Sequence, residues 1–480
     1  MGSAATVTRN AAWLMFQRVF LGVLSVLVVA VVARYLGTER YGHLVLFLSY
    51  SALVVQFSNL GLRPYSVRAI AADRPRAMAV VGEMLALRGS IALAVALVAT
   101  AYLAWIDPFL PDALIAVLAL QLVLNAIAMC YIDGLYGTEH IREVAKSLGA
   151  SGVAVQVGSL AAVALDAGTA GVACTYVLGS LVTIGVARRF LVKRAGPVHL
   201  RAPTLALLRH VKGSRSFFFQ NIVHTVRQRL DVILITSILG THAAGVYGAS
   251  LTLIQRLDIV QDALTTALFP RVSSLQGQAT DELRELVRLS FKLMLVFSMP
   301  LAIGIFGIAD DIVSLVFGAE FADATPVLAL IAVGIPFGFV YGLLFNVLSA
   351  LGRQEEVFRW ALAVLVPDLA FMVGGILLGG VPGAAAALVL VAISLVVPLV
   401  VYYVRTIGPL ARGGDLARIA AANAAMAACL WLCADFHTVL RVLACIAVYV
   451  AAVLAFRVVT PSTIRTILKR SRARNGDEHG

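Results

Sequence analysis

Charged and polar side chains recur at helical spacing inside otherwise apolar stretches, and any chemistry would reside there. Gln220, His224, Arg227 and Asp231 follow one another at four, three and four residues, so a helix aligns them in one stripe. Gln255, Asp258 and Asp262 follow at three and four and make a second stripe, and Gln56, Asn59 and Arg63 repeat that spacing earlier in the chain. Arg229 and Arg256 lie in the segments of the first two stripes, and Gln17 and Arg18 lie in the first apolar segment. Such stripes cannot face lipid, so they face a cavity or each other. A guanidinium suits phosphate, because its fork of donors matches two oxygens and stays charged. One assignment is therefore a hydrated cavity carrying Arg18, Arg227, Arg229 and Arg256, with Gln17, Gln56 and Asn59 beside them. The competing assignment is internal pairing, of Arg227 with Asp231 and of Arg256 with Asp258 or Asp262. Arg18 has no acid near it in its segment, which favours the cavity. His224, with an unperturbed pKa of about 6.5, is a candidate for ion coupling. Asp231, Asp258, Asp262 and Asp368, the last directly after Pro367, are the others. Glu83 and Arg88 lie near an expected membrane edge, where long side chains reach the interface, and stay outside this set.

The elements that position these residues follow from composition. The chain has 480 residues, 60% hydrophobic and 13% charged. Its mean hydropathy is +0.92. A soluble domain carries roughly twice that share of charge, about 25%. This composition excludes soluble enzymes, nucleic-acid binders and secreted disulfide scaffolds. The apolar residues fall in blocks near the ~20 residues that cross a bilayer as a helix. About fourteen such spans are expected, near 11–33, 43–62, 84–105, 113–133, 147–165, 169–187, 216–239, 243–269, 289–309, 325–351, 360–380, 383–404, 416–434 and 438–456. The weakest are 147–165 and 216–239, which contain polar residues.

Charge orients the spans. Alternate gaps carry acids, among them Asp107, Asp166, Asp310 and Asp435, and almost no base. The remaining gaps and both ends are basic, with runs such as Arg188, Arg189, Lys193 and Arg194. The net charge of +12 is thus the signature of cytoplasmic loops and cytoplasmic termini, not of a nucleic-acid partner. The cysteines, Cys130, Cys174, Cys429, Cys433 and Cys445, sit in apolar segments, and no His or carboxylate completes a metal set. No A-x-A-like site follows the first apolar stretch, so no cleaved leader is expected. The sequence has no P-loop, H-E-x-x-H or G-x-S-x-G motif.

The basic stretch with Gly196, Pro197 and Pro203 divides the chain after six spans. The expected organisation is a six-helix bundle over 1–190, a basic linker over 191–215 and a second bundle over 216–405. Two further spans occupy 406–457, and a basic tail follows over 458–480. Gln17, Leu36, Gly37 and Thr38 have counterparts at one offset in Gln220, Leu239, Gly240 and Thr241. After a three-residue slip, Tyr41, Gly42 and Pro64 match Tyr247, Gly248 and Pro270. Spans one and two thus resemble spans seven and eight in the same orientation, a parallel repeat of the kind that supports alternating access.

The strongest family signal is I-V-S-L-V-F-G-A-E-F-A-D-A-T-P-V-L-A-L from Ile312, followed by L-S-A-L-G-R-Q-E-E-V from Leu348. A-R-Y-L-G-T-E-R-Y-G from Ala33 and N-L-G-L-R from Asn59 accompany it. These resemble the two signatures of the polysaccharide-flippase family, within the multidrug/oligosaccharidyl-lipid/polysaccharide exporter superfamily, over most of the chain to about residue 405. The resemblance implies an all-α polytopic membrane protein of about fourteen transmembrane helices. Two parallel-repeat six-helix bundles would surround a central cavity, with two extra C-terminal helices. It also implies a flippase, not an enzyme, for undecaprenyl-pyrophosphate-linked oligosaccharide of O-antigen or exopolysaccharide type. The cargo would pass from the cytoplasmic to the periplasmic leaflet of the bacterial inner membrane. The family's cationic cavity corresponds in kind to Arg18, Arg227 and Arg229. No cofactor is implied beyond a proton or sodium gradient. The implied partners are the lipid-linked cargo, membrane lipids and polysaccharide polymerase or chain-length machinery. The alternatives are a lipid II flippase of the same superfamily, which the Ile312–Leu330 signature disfavours, and a membrane glycan polymerase or ligase. The latter would be expected to keep catalytic residues in a large periplasmic loop, which this pattern lacks.

Overall fold

The computed structural model describes residues 4–107, 109–200, 205–257, 259–261, 265, 272 and 281–458. Side chains are described for these except 4–21, 23, 106, 205–217, 219, 220 and 224. Among the described residues every regular element is helical. In hydrocarbon no water satisfies a backbone N–H or C=O, so each segment closes its hydrogen bonds on itself. In chain order the helices are α1 (Ala4–Asn59), α2 (Leu62–Ala72), α3 (Ala77–Ile106), α4 (Asp112–Gly137), α5 (Ile141–Ala164), α6 (Gly168–Ala195), α7 (Leu205–Leu239) and α8 (Thr241–Gln255). They continue with α9 (Asp281–Gly307), α10 (Ala309–Val316), α11 (Ala324–Val333), α12 (Ile335–Ala350), α13 (Gln354–Ala363), α14 (Leu365–Thr406), α15 (Gly413–Leu432) and α16 (Thr438–Ala455).

Two of these are each a pair of segments. Gly37 (φ 71°, ψ 174°) interrupts α1, and Gly380 (φ 58°, ψ −139°) interrupts α14. At Gly380 the chain doubles back. A Cβ at Gly383 would lie 2.0 Å from the Gly375 carbonyl oxygen, whereas residues that far apart in a straight helix are separated by about 12 Å. Among the described residues nine helices are long and apolar enough to cross a membrane, or ten if α11 and α12, bent by 42°, make one span. That count takes α1 and α14 once each and omits α7, which carries Arg227, Arg229 and Asp231. Outward-facing apolar side chains such as Leu378 (93% exposed) and Trp105 (86%) suit a lipid surround. The chain is a multi-pass membrane protein. Several helices outrun the expected spans, because a helix ends at a turn residue rather than where hydropathy falls. α6 runs on to Gly196, at φ 94°. Apart from their first residues the short helices α2 and α10 lie outside the expected spans, and α13 runs into the start of the one expected near 360–380.

The chain divides into two compact units. The first comprises Thr8–Ala249 with Val316–Phe321. Its core includes Met84, Leu85, Ile132, Leu135, Val144 and Leu191. Asp107 and Asp166 are anchored to α1: Tyr50 Oη donates to Asp107 at 2.5 Å, and Tyr35 Oη to Asp166 at 2.6 Å. The two signature stretches meet within this unit. Arg34 Nε donates to the Val316 carbonyl at 3.0 Å, the Thr38 amide donates to Glu320 Oε1 at 3.2 Å, and Tyr41 sets its ring edge-on to Phe321 at 5.9 Å. α1 and α8 cross reciprocally. A Cβ at Gly42 would lie 1.9 Å from the Thr241 carbonyl oxygen, and one at Gly245 1.9 Å from that of Thr38. The contact follows the first of the two sequence offsets, setting Gly42 opposite Gly245 rather than Gly248.

The second unit comprises Ser250–Leu315 and Ala322–Gly480 with Met1–Val7. Its core includes Met294, Phe339, Leu343, Leu344, Leu399 and Tyr403. The α15–α16 hairpin is tied to α9 and α10 by polar contacts: Lys292 Nζ to Asp415 at 2.9 Å, Thr438 Oγ1 to Asp311 at 2.9 Å and Tyr449 Oη to the Val296 carbonyl at 2.7 Å.

Candidate functional site

The N-L-G-L-R motif makes a break in a helix. α1 ends at Asn59, Leu60 (φ 43°) and Gly61 (φ 66°) adopt left-handed backbone, and α2 restarts at Leu62. A left-handed non-glycine residue is uncommon and often marks a functional position. The break sets Asn59 and Arg63 on opposite sides of it, against α3 and α4. Arg88 of α3 donates through Nη1 to Asp133 Oδ2 of α4 at 2.7 Å, and both side chains are 1% exposed. Arg88 Nη2 donates to Asn59 Oδ1. Arg63 Nε lies 3.2 Å from Asp133 Oδ1, an ion-pair distance without hydrogen-bond geometry. One turn along α4 from Asp133, the Tyr136 ring carries the Arg63 guanidinium on its face, 5.2 Å from the centroid. Arg63 remains 51% exposed.

The cluster holds two guanidinium groups and one carboxylate. Desolvating a charge without a partner costs several kcal/mol, so the buried Arg88–Asp133 pair must be kept whole. Asp133 is neutralised by Arg88, and its second oxygen attracts Arg63 from the side. Among the described residues the Nη groups of Arg63 make no hydrogen bond, so they can donate to an anion.

The expected site residues divide as follows. Asn59 enters this cluster, and Gln56 is half-buried one turn before it. The side chains of Gln17, Arg18 and His224, and the whole of Asp258 and Asp262, lie outside the described residues. Arg227, Arg229 and Arg256 are half-buried. Asp231 is buried and takes its hydrogen bonds from Tyr247 Oη at 2.8 Å and the Val232 amide at 2.7 Å, not from Arg227. Tyr41 and Tyr247, matched in sequence, thus do different work, one against Phe321 and one on Asp231. Asp368 is buried and accepts from Ser394 Oγ at 2.5 Å, across the two segments of α14. Among the described residues no group of three potential metal ligands forms.

Arg88 requires a correction. Its position in the sequence predicts a membrane edge, with the side chain reaching water. It sits eleven residues inside α3 and is fully enclosed by its partners. The helical-spacing argument does not reach Asp133. The available signal was a lone acid in the uncharged stretch from Leu114 to Thr138, one span away from a lone arginine.

Comparisons with known proteins bear on this arrangement. A family model described as polysaccharide biosynthesis protein matches residues 31–326. The chain is 26% identical over 178 residues to a Shigella flexneri protein named "Putative O-antigen transporter", spanning 36% of this chain and 42% of that one. It is 26% identical over 164 residues to the teichuronic acid biosynthesis protein TuaB of Bacillus subtilis (strain 168), spanning 32% and 34%. The matched segment thus covers less than half of either relative. In fold the chain is similar to the lipid II flippase MurJ in an inward closed conformation, with a TM-score of 0.74, 14% identity and coverage of 94% and 99%. It is also similar to an inward-facing multidrug resistance MATE transporter, with a TM-score of 0.63, 13% identity and coverage of 82% and 97%. At these identities the likeness is one of fold.

Proposed function

Because the chain belongs to the polysaccharide biosynthesis protein family, we propose that it is a lipid-linked oligosaccharide flippase. Its cargo is an undecaprenyl-pyrophosphate-linked repeat unit of an O-antigen or exopolysaccharide. It moves this unit from the cytoplasmic to the periplasmic leaflet of a bacterial inner membrane by alternating access, with both termini cytoplasmic. In this reading fourteen spans form two parallel-repeat six-helix bundles and a C-terminal pair, and the likeness in fold to MurJ and to a MATE transporter supports a transporter architecture.

Arg63 is the observation in the chain that carries this reading. A half-exposed guanidinium set beside a buried carboxylate and laid on an aromatic ring suits a diphosphate, and a cationic drug would be repelled by it. Arg18, Arg227, Arg229 and Arg256 extend the cationic lining, with Gln17, Gln56 and Asn59 as hydrogen-bonding groups for the glycan. A wet cationic cavity shields the charged head while a lateral opening leaves the lipid tail in hydrocarbon. A sodium or proton gradient acts through carboxylates or imidazole drawn from Asp231, Asp258, Asp262, His224 and Asp368. Polymerase or chain-length machinery receives the product. A second reading, lipid II as cargo, is supported by the likeness in fold to MurJ.

The test is deletion of the gene in its host, with undecaprenyl-linked glycans assigned to leaflets by a membrane-impermeant probe. Complementation uses the wild type and the Arg18→Ala, Arg63→Ala, Arg227→Ala and Arg229→Ala variants. Repeat units accumulating on the cytoplasmic side, not rescued by the arginine variants, support the proposal. Accumulation of peptidoglycan precursor there instead selects the second reading. Single units reaching the periplasm normally while long polymer is missing would mean a polymerase or ligase role, and the flippase reading would fail.

A further inference from the structure

The start of α9 and the turn between α14 and α15 border an open cavity of about 620 Å³ in the second unit. Asp281, Arg284, Glu285 and Arg288 line it from one helix face, at spacings of three, one and three, and Arg412 lines it from the position just before α15. The backbone of Ile407, Gly408 and Pro409 forms its wall.

These charges are partly used in holding the turn. Arg284 donates Nε to the Ile407 carbonyl at 2.6 Å and Nη1 to Asp281 Oδ1 at 3.0 Å. Arg288 donates Nε to the Pro409 carbonyl at 3.0 Å and sets Nη1 3.5 Å from Glu285 Oε2. Arg412 Nη2 lies 3.6 Å from the same Glu285 oxygen. Among the described residues Nη2 of Arg284, both Nη of Arg288, the whole guanidinium of Arg412, Oδ2 of Asp281 and both carboxylate oxygens of Glu285 make no hydrogen bond. The cavity therefore offers cationic donors and anionic acceptors side by side. A plain anion would meet the two carboxylates, and a plain cation would meet the three guanidinium groups.

Its depth in the membrane is also set. The residues from Leu293 to Ala309 are uncharged, and Arg288 lies five residues before that run begins. At 1.5 Å per residue this is about 7 Å, the thickness of one head-group layer. We propose that this cavity binds a zwitterionic phospholipid head group, a phosphodiester bearing a primary ammonium. Arg284, Arg288 and Arg412 hold the phosphate, and Asp281 and Glu285 hold the ammonium. The bound lipid joins α9 to the α14–α15 turn and so fixes the root of the C-terminal hairpin. This site is independent of the cargo, and its test does not depend on the transport reading.

The experiment uses the full-length protein, purified and delipidated in detergent. Thermal unfolding is followed during titration with phosphatidylethanolamine, phosphatidylglycerol, phosphatidylcholine or inorganic phosphate. Ligand that binds only the folded state raises the midpoint in a concentration-dependent way. The expected result is a saturable rise with phosphatidylethanolamine that the other three do not match. Phosphatidylcholine fails because its quaternary ammonium has no N–H to donate. Arg412→Gln and Asp281→Asn each weaken the response to phosphatidylethanolamine about tenfold. Asp281 is 97% exposed, so its substitution leaves the fold intact even if the Arg412 variant is lost. Equal rises with all three lipids, or variants that respond like the wild type, overturn the proposal. A rise with phosphatidylglycerol alone would make the site anionic, and a full rise with inorganic phosphate would make it a free-phosphate site. Either result overturns the assignment to a zwitterionic lipid.

Discussion

At the residue scale the Asn59–Arg63–Arg88–Asp133 cluster assigns separate tasks to two arginines. Arg88 and Asp133 are each 1% exposed and neutralise one another, so removing either strands a charge in a dry site. Arg88→Ala and Asp133→Ala are each expected to destabilise the protein by about 3–5 kcal/mol. The double replacement Arg88→Met with Asp133→Leu recovers most of that loss, because neither charge remains. A thermal-unfolding double-mutant cycle in detergent checks this, and additive losses would refute it. Arg63 behaves differently, because half of it is exposed and its loss leaves the buried pair intact. Arg63→Ala should leave folding nearly unchanged. It should cut transport about ten- to hundredfold, the worth of the ~1.5–3 kcal/mol of charge-assisted bonding it would give a phosphate. Equal losses in protein level and in transport would make Arg63 structural. Tyr247→Phe is expected to cost about 1–3 kcal/mol, since it leaves a buried oxygen of Asp231 without its donor. Unfolding of that single variant is the measurement, and an unchanged midpoint would show that Asp231 is otherwise satisfied.

At the scale of elements the first unit turns on close backbone approach. Gly42 of α1 and Gly245 of α8 each leave no room for a methyl group, and the atom in the way is a carbonyl oxygen that cannot swing aside. Gly42→Ala and Gly245→Ala should each destabilise by about 1–3 kcal/mol, the usual cost of overpacking. Gly89→Ala on α3 meets nothing within 4 Å and serves as the harmless control. If all three variants unfold alike, the crossing does not depend on the missing side chain. Gly37 adds a second constraint at the same place. Its φ of 71° disfavours any side chain, and a Cβ there would lie 2.4 Å from Glu320 Oε1. The conformation that ends the first segment of α1 also leaves room for the second signature stretch.

At the scale of the whole molecule the arrangement of charge predicts topology. Bases collect in alternate gaps and at both ends, and acids such as Asp107 and Asp166 occupy the other gaps. Reporters fused after Arg194 and after Val458 should read as cytoplasmic, and one inserted at Asp166 as periplasmic. Opposite readings would invert the proposed direction of transport. Asp107 and Asp166 are each held by a tyrosine of α1, so a reporter placed between Leu165 and Gly168 is best flanked by flexible linker.

The sequence by itself determined the helical, membrane-spanning class. A chain 60% hydrophobic and 13% charged cannot cover itself with polar surface, and lipid leaves the backbone few options other than helix. It also carried the family, because short motifs in fixed order survive where overall identity does not. The N-L-G-L-R stretch was legible as a signature but not as a broken helix, since Leu60 has no local reason to adopt left-handed backbone and is held there by packing. What only the tertiary structure decided was which charges meet. Arg88 and Asp133 are separated by 45 residues, and nothing in either segment names the other. Helical periodicity aligns residues on one face of one helix. The partner across a helix–helix interface depends on rotation and depth, which are set by side-chain packing along the whole contact.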